Sequence, residues 1–193
     1  MNFLVNKKEM NYSETISHLK EDTQKLNREE YENCEFIHCI FSDLSNLKFI
    51  NCAFKFCDLS NCKIYNSMFQ DVNFSNCKLL GINFSLAKDF AFALFCKNCN
   101  LEYASFDKKK LNKSVFENCK MHHVNFTQAD LSKTSLLDCD LLEAHFSNTN
   151  MTGVDFTRSK NFLIDPEINT IKKAKFLAQD LEKLLFKYEI IVK

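Results

Sequence analysis

Between Asn51 and Phe84 the chain places a large apolar residue at every fifth position: Phe54, Leu59, Ile64, Phe69, Phe74, Leu79 and Phe84. Two residues before each stands a smaller one, Cys52, Cys57, Cys62, Ser67, Val72, Cys77 and Ile82, and polar residues fill most other places. A helix returns to one face after about 3.6 residues and a strand after two. Neither accommodates a sustained spacing of five, so the stretch is an internal repeat and not an amphipathic element. If each pentad forms one short side of a square and then turns a corner, the centre and the residue two before it both point inward. Four pentads close a coil of about twenty residues, and coils stack like parallel strands about 4.8 Å apart, with residue n lying over residue n+20.

The pentads CDLSN at Cys57, ADLSK at Ala129 and CDLLE at Cys139 resemble the consensus of the pentapeptide-repeat family: a small residue, Asp or Asn, Leu or Phe, and two polar residues. The resemblance implies an all-β solenoid, a right-handed quadrilateral β-helix, over about four fifths of the chain.

At 193 residues the chain is one domain's worth, and a solenoid of that length needs no second core. Twenty Phe with no Trp, two Gly and one Pro fit an interior that asks for one flat ring per pentad and few loops. Ten Cys raise the question of disulfides or zinc. Nine of them, Cys34, Cys39, Cys52, Cys57, Cys62, Cys77, Cys99, Cys119 and Cys139, precede a centre by two, where a compact buried side chain is required; Cys96 alone does not. They read as core residues with neither metal nor cofactor, and so many unpaired thiols point to a reducing cytoplasm. No signal peptide and no membrane-spanning stretch is visible.

Residues 1–25 lack the period and read as an N-terminal cap or mobile segment; residues 26–176 carry the solenoid. The period is irregular at 41–44, where two residues are missing between Phe41 and Leu44, and at 85–100, where two are extra. In that second interruption Phe90 and Phe95 are the expected centres. Phe92 is then either left outside as a contact point or turned inward with the others around a distorted coil. From Leu101 to Phe156 the spacing holds, and Phe106, Phe126 and Phe146 should stack. Pro166 suits a ladder edge and marks the end of the repeat.

In residues 177–193 the period changes: Leu181, Leu184, Leu185 and Tyr188 fall at helical spacing, and Glu189 to Val192 reads as a short strand. With Ile190 and Ile191 this segment should cover the open end of the solenoid as a homodimer interface. It resembles the C-terminal ends of the quinolone-resistance pentapeptide proteins of the Qnr and MfpA kind.

The sequence points away from an enzyme. A filled prism offers no cleft, and no Gly-rich phosphate loop, HExxH or GxSxG motif occurs. CKNC at Cys96 to Cys99 lacks a second pair for zinc, and the adjacent His122 and His123 should point to opposite sides.

The formal net charge is zero, and no face is basic enough for direct nucleic-acid binding. Opposite charges recur one coil apart at Asp43/Lys63, Asp58/Lys78, Lys110/Asp130, Lys120/Asp140/Lys160 and Asp155/Lys175, which predicts ion pairs across the ladder. Lys108, Lys109, Lys110 and Lys113 read as a basic belt. Ser114 to Thr157 is acidic, with a net charge of −4. The family resemblance implies a DNA-like rod that binds DNA gyrase or topoisomerase IV and protects it from quinolones. The acidic half is where such contacts belong: Glu117 and Glu143, read as having no Lys or Arg one coil away, with Asp138 and Asp140, which face basic neighbours. The other class is a scaffold or interaction module for a different protein partner.

Overall fold

The computed structural model describes residues 13–20 and 26–191. Ten short strands, β1 (Glu14–Ser17), β2 (Glu30–Glu32), β3 (Cys34–Ile37), β4 (Lys48–Ile50), β5 (Ala53–Lys55), β6 (Met68–Gln70), β7 (Val72–Ser75), β8 (Leu94–Lys97), β9 (Val115–Glu117) and β10 (Ser135–Leu137), build a parallel solenoid. One sheet runs β1-β3-β5-β7-β8-β9-β10 and a second β2-β4-β6. Isolated parallel bridges such as Lys78↔Asn100, Asn125↔His145 and Asp155↔Lys175 carry the ladder along the sides where turns replace strands.

The register measures each coil. Glu14 pairs with Cys34, and Ala53 with Asn73, twenty residues apart. Phe36 pairs with Phe54 after eighteen, because the side between Phe41 and Asp43 is two residues short. Val72 pairs with Leu94 after twenty-two, and the spacing then returns to twenty with Phe95↔Val115. Both irregularities lie where the broken period places them. Among the described residues the ladder already includes Glu14, inside the stretch read as a cap. The rest of that reading, residues 1–12 and 21–25, lies outside the described residues.

Columns of like residues fill the interior. Tyr31, Phe49 and Phe69 stack at 5.7 and 5.5 Å, Phe36, Phe54 and Phe74 at 4.6 and 4.9 Å, and Phe84, Phe106, Phe126 and Phe146 at 4.9, 5.5 and 5.4 Å. Each fully buried ring contributes about 1.5–3 kcal/mol from area alone, and each ring pair adds about 0.5–1.5 kcal/mol. A second kind of column stands beside the rings. Through the short and long coils, Cys39, Cys57, Cys77, Cys99, Cys119 and Cys139 follow one another without a break, all buried and free. The slot they occupy sits against a carbonyl of the coil below, and this explains its chemistry: Cys77 Sγ donates to Phe54 O at 3.3 Å and Cys139 Sγ to Phe116 O at 3.5 Å. Ser67, Thr134 and Thr149 hydroxyls make the same bond from equivalent slots at 2.7–2.8 Å. A compact donor satisfies a buried acceptor that an Ala would leave alone.

The corners need left-handed backbone. Twenty-four described non-glycine residues have positive φ, ten of them Asn, the residue whose short side chain tolerates that region best.

The C-terminal segment departs from the sequence reading. The expected short helix is present, over Ala178–Leu184 and Phe186–Tyr188, but with 3-10 and not α geometry; Glu189 to Ile191 form no strand, with Glu189 left-handed at φ 51, and Val192 lies outside the described residues. At three residues per turn the expected stripe divides. Leu184 and Leu185 are half-buried, while Leu181, Tyr188, Ile190 and Ile191 are exposed. Lys187 pins the segment to the last coil through Asp165 at 2.8 Å and Glu167 at 2.5 Å. Both carboxylates are held below their usual range by the Lys187 ammonium.

Candidate functional site

The prism leaves its surface as the place for function. A shallow depression of about 750 Å³ lies between the last coils and the C-terminal turns and is lined by His123, Glu143, His145, Leu163, Ile168 and Phe186. Among the described residues no group of three or more His, Cys, Asp and Glu is arranged to hold a metal ion. Cys96 and Cys99 both point into the core: Cys96, and not the expected Phe95, takes the centre in the ring column between Phe74 and Phe116, and Cys99 takes the following slot. Burial raises the Cys96 thiol well above its ordinary pKa.

The structure places all four acidic candidates on the outside, and all four are partnered. Glu117 on β9 meets Lys97 on β8, in register one coil below, at 2.5 Å. This corrects the reading that Glu117 has no basic neighbour. Lys97 is twenty residues back, but it lies in the stretch where the period had been lost. Glu143 accepts His123 at 3.0 Å. Asp138 takes both forks of Arg158, with Nε at 3.1 Å. Asp140 sits between Lys160 at 3.5 Å, His122 at 3.2 Å and the Asn161 amide at 2.8 Å. Partial burial pushes its carboxyl up, but bonds from Asn161 and His122 and the charges of His122 and Lys160 hold it below the usual range. The Glu117–Lys97 pair is about half exposed and such a pair stabilises by about 0–1 kcal/mol, whereas His122 and Asp140 are half-buried. The weight of these pairs is in the potential: Lys97, Arg158 and Lys160 compensate Glu117, Asp138 and Asp140, whereas the His123 imidazole beside Glu143 carries charge only when protonated.

Of the other expected pairs, some form as read and some change partners. Lys78 meets Asp58 and Lys175 meets Asp155, both at 3.3 Å. Lys120, however, turns to Glu102 at 2.9 Å, and Asp130 accepts from Ser132 N and Asn150 instead of Lys110. His122 and His123 both lie on the outer side, since the two places after a centre form the corner. His122 is half-buried between Glu102 and Asp140, and His123 stacks on Tyr103 at 4.6 Å.

Phe92 is not a surface contact point. It is buried, whereas Phe90 is 72% exposed. Lys109 leaves the basic belt: its side chain is 2% exposed, and its ammonium pairs with Asp89 at 2.9 Å. Burial lowers its pKa, and the Asp89 pairing opposes that shift. The fault in the sequence reading was the assumption that three consecutive Lys share a face. Lys109 stands two before Leu111, in a slot that points inward.

The left-handed Asn corners, the unbroken thiol column and the five-residue register define a class, a parallel solenoid built of five-residue repeats. The family model for the pentapeptide repeat region matches residues 91–161. No curated protein matches the chain in sequence. Among solved structures it is similar to a trypsin-treated single-substitution variant of QnrB1, a plasmid-mediated fluoroquinolone resistance protein, at 23% identity and TM-score 0.60 over 93% of this chain and 99% of that one. Full-length QnrB1 aligns at 24% identity and TM-score 0.46, over 92% of this chain and 98% of that one. HetL, a pentapeptide repeat protein involved in heterocyst differentiation regulation from Nostoc sp. strain PCC 7120, aligns at 12% and 0.43, over 82% and 85%. At these identities the first likeness speaks for the fold, and the two looser ones carry no argument. Among the described residues no helix is long and apolar enough to cross a membrane.

Proposed function

We propose that this chain is a non-enzymatic binding rod for a type II topoisomerase, DNA gyrase or topoisomerase IV, and that it acts in the cytoplasm as a homodimer to protect that enzyme from quinolones. The observation that carries this reading is the end-to-end likeness in fold to a fluoroquinolone resistance protein, with almost the whole of both chains aligned. The exposed Leu181, Tyr188, Ile190 and Ile191 at one end of the rod support the dimer, because apolar side chains gathered there call for a partner surface.

A second reading, an interaction module for a different protein, is favoured by one observation. Glu117, Asp138 and Asp140 each meet a Lys or Arg and Glu143 meets an imidazole, which weakens the acidic field that a duplex mimic needs on that half. Binding of the full-length protein to purified gyrase, topoisomerase IV and free duplex across a salt series separates the two. The first reading expects a topoisomerase complex that weakens with salt and no complex with DNA; absence of any topoisomerase complex at low salt leaves the second.

A further inference from the structure

The coil with two extra residues offers its core two rings for one place. Phe90 and Phe92 are two apart, so in extended chain both point the same way. Either can serve the interior position between Phe69 of the coil below and Leu111 of the coil above. The structure has Phe92 inside, 5% exposed and edge-on to Phe84 at 6.2 Å, and Phe90 outside at 72%. Ala91 between them is the pivot, left-handed at φ 53.

Three departures from the repeat meet here. Lys109 occupies an inward slot that holds Ser67, Ala129 or Thr149 in other coils. Its ammonium bonds Ala87 O, pairs with Asp89 and lies 4.6 Å over the Phe92 ring. The bulge is closed outside the regular ladder spacing, by Phe92 N to Asp89 O, Ala93 N to Phe69 O and Val72 N to Ala93 O at 3.3, 3.2 and 3.1 Å.

We propose that residues Asp89 to Phe92 form a two-register element: the Phe92-in register seen here, and a second with Phe90 inside and Phe92 out. Lys109 is the positioning residue that selects the first. Its pairing with Asp89 fixes where the bulge begins, and its cation–π contact rewards Phe92 over Phe90 as the buried ring. The rod thereby presents or withdraws one projecting aromatic side chain, and any partner that grips Phe90 draws the element toward the register seen here. The proposal stands apart from the identity of that partner.

The test places 4-fluorophenylalanine at position 90 of the full-length chain and follows its fluorine resonance in H2O and D2O. The otherwise native protein should give one solvent-exposed resonance. Lys109→Met should add a second, solvent-shielded one populated above about a tenth. Asp89→Asn, a change at an exposed side chain, should do the same more weakly, and decides alone if Lys109→Met does not fold. A single exposed resonance in each folded variant overturns the proposal.

Discussion

Asn61 lays its side-chain oxygen against Gly81 one coil above, inside the space that a Cβ on that glycine would need. Gly81 is left-handed at φ 66 as well. Gly81→Ala therefore meets both a backbone penalty of about 1–2 kcal/mol and a clash that Asn61 must relieve by giving up its place. Gly153, with φ 75 and open space around it, isolates the backbone part. Thermal melts should show a larger drop for Gly81→Ala than for Gly153→Ala, and Asn61→Ala should recover part of the Gly81→Ala loss. Equal drops would remove the steric half of this account.

The thiol column makes the cysteines structural. Cys119→Ala should cost on the order of 1 kcal/mol for a small cavity, while Cys119→Asp buries a charge and should cost above about 3 kcal/mol. Desolvation pushes the Cys52 thiol up to about 11 from 9.0. Because the folded value is the higher one, the stability linked to Cys52 is complete below pH 9 and is lost as pH rises from 9 to 11. That loss approaches about 2–3 kcal/mol. Urea midpoints at about pH 8, 9 and 10.5 check it, and Cys52→Ala should flatten the alkaline fall.

How much of this was legible in the sequence depends on where the period held. Wherever five residues separated centres, the ring columns Phe54–Phe74 and Phe106–Phe126–Phe146 and the pair Asp155–Lys175 were readable as n over n+20. Across the two slips the same rule misplaced residues by two. That put Phe95 where Cys96 stands and exchanged Phe90 with Phe92, while Lys97 beneath Glu117 obeys the rule and was missed only because it lies in the broken stretch. Lys109 shows a different limit: its charge argued for the surface, and only its place two before Leu111 argued for the core. The C-terminal stripe had helical spacing, but the segment has 3-10 geometry, and at three residues per turn the stripe divides between half-buried Leu184 and Leu185 and exposed Leu181 and Tyr188.

Lys97 and Glu117 offer a clean measure of what the ladder ion pairs contribute. Both side chains are about half exposed, so a double-mutant cycle to Ala should give a coupling below about 1 kcal/mol that fades as salt rises to about 1 M. A coupling above about 2 kcal/mol would mean that surface charge does more for this fold than its rings imply.

The dimer reading predicts that Leu181→Glu combined with Ile190→Glu yields a monomer in analytical ultracentrifugation while the melting temperature of the coils holds, because neither side chain packs into the core. Native protein that sediments as a monomer at high concentration contradicts it.

The central claim is tested most directly by gyrase supercoiling in the presence of a fluoroquinolone, with the native protein and the double variant Glu117→Lys, Glu143→Lys titrated side by side. Both side chains are on the surface, so the variant should fold. It places a lysine opposite Lys97 and another beside His123, which removes two carboxylates and reverses the charge of the surface that the proposed contact would use. The account predicts that the native protein restores supercoiling and the variant does so only at about tenfold higher concentration or more. No restoration by the native protein at any concentration, or equal restoration by both, contradicts it.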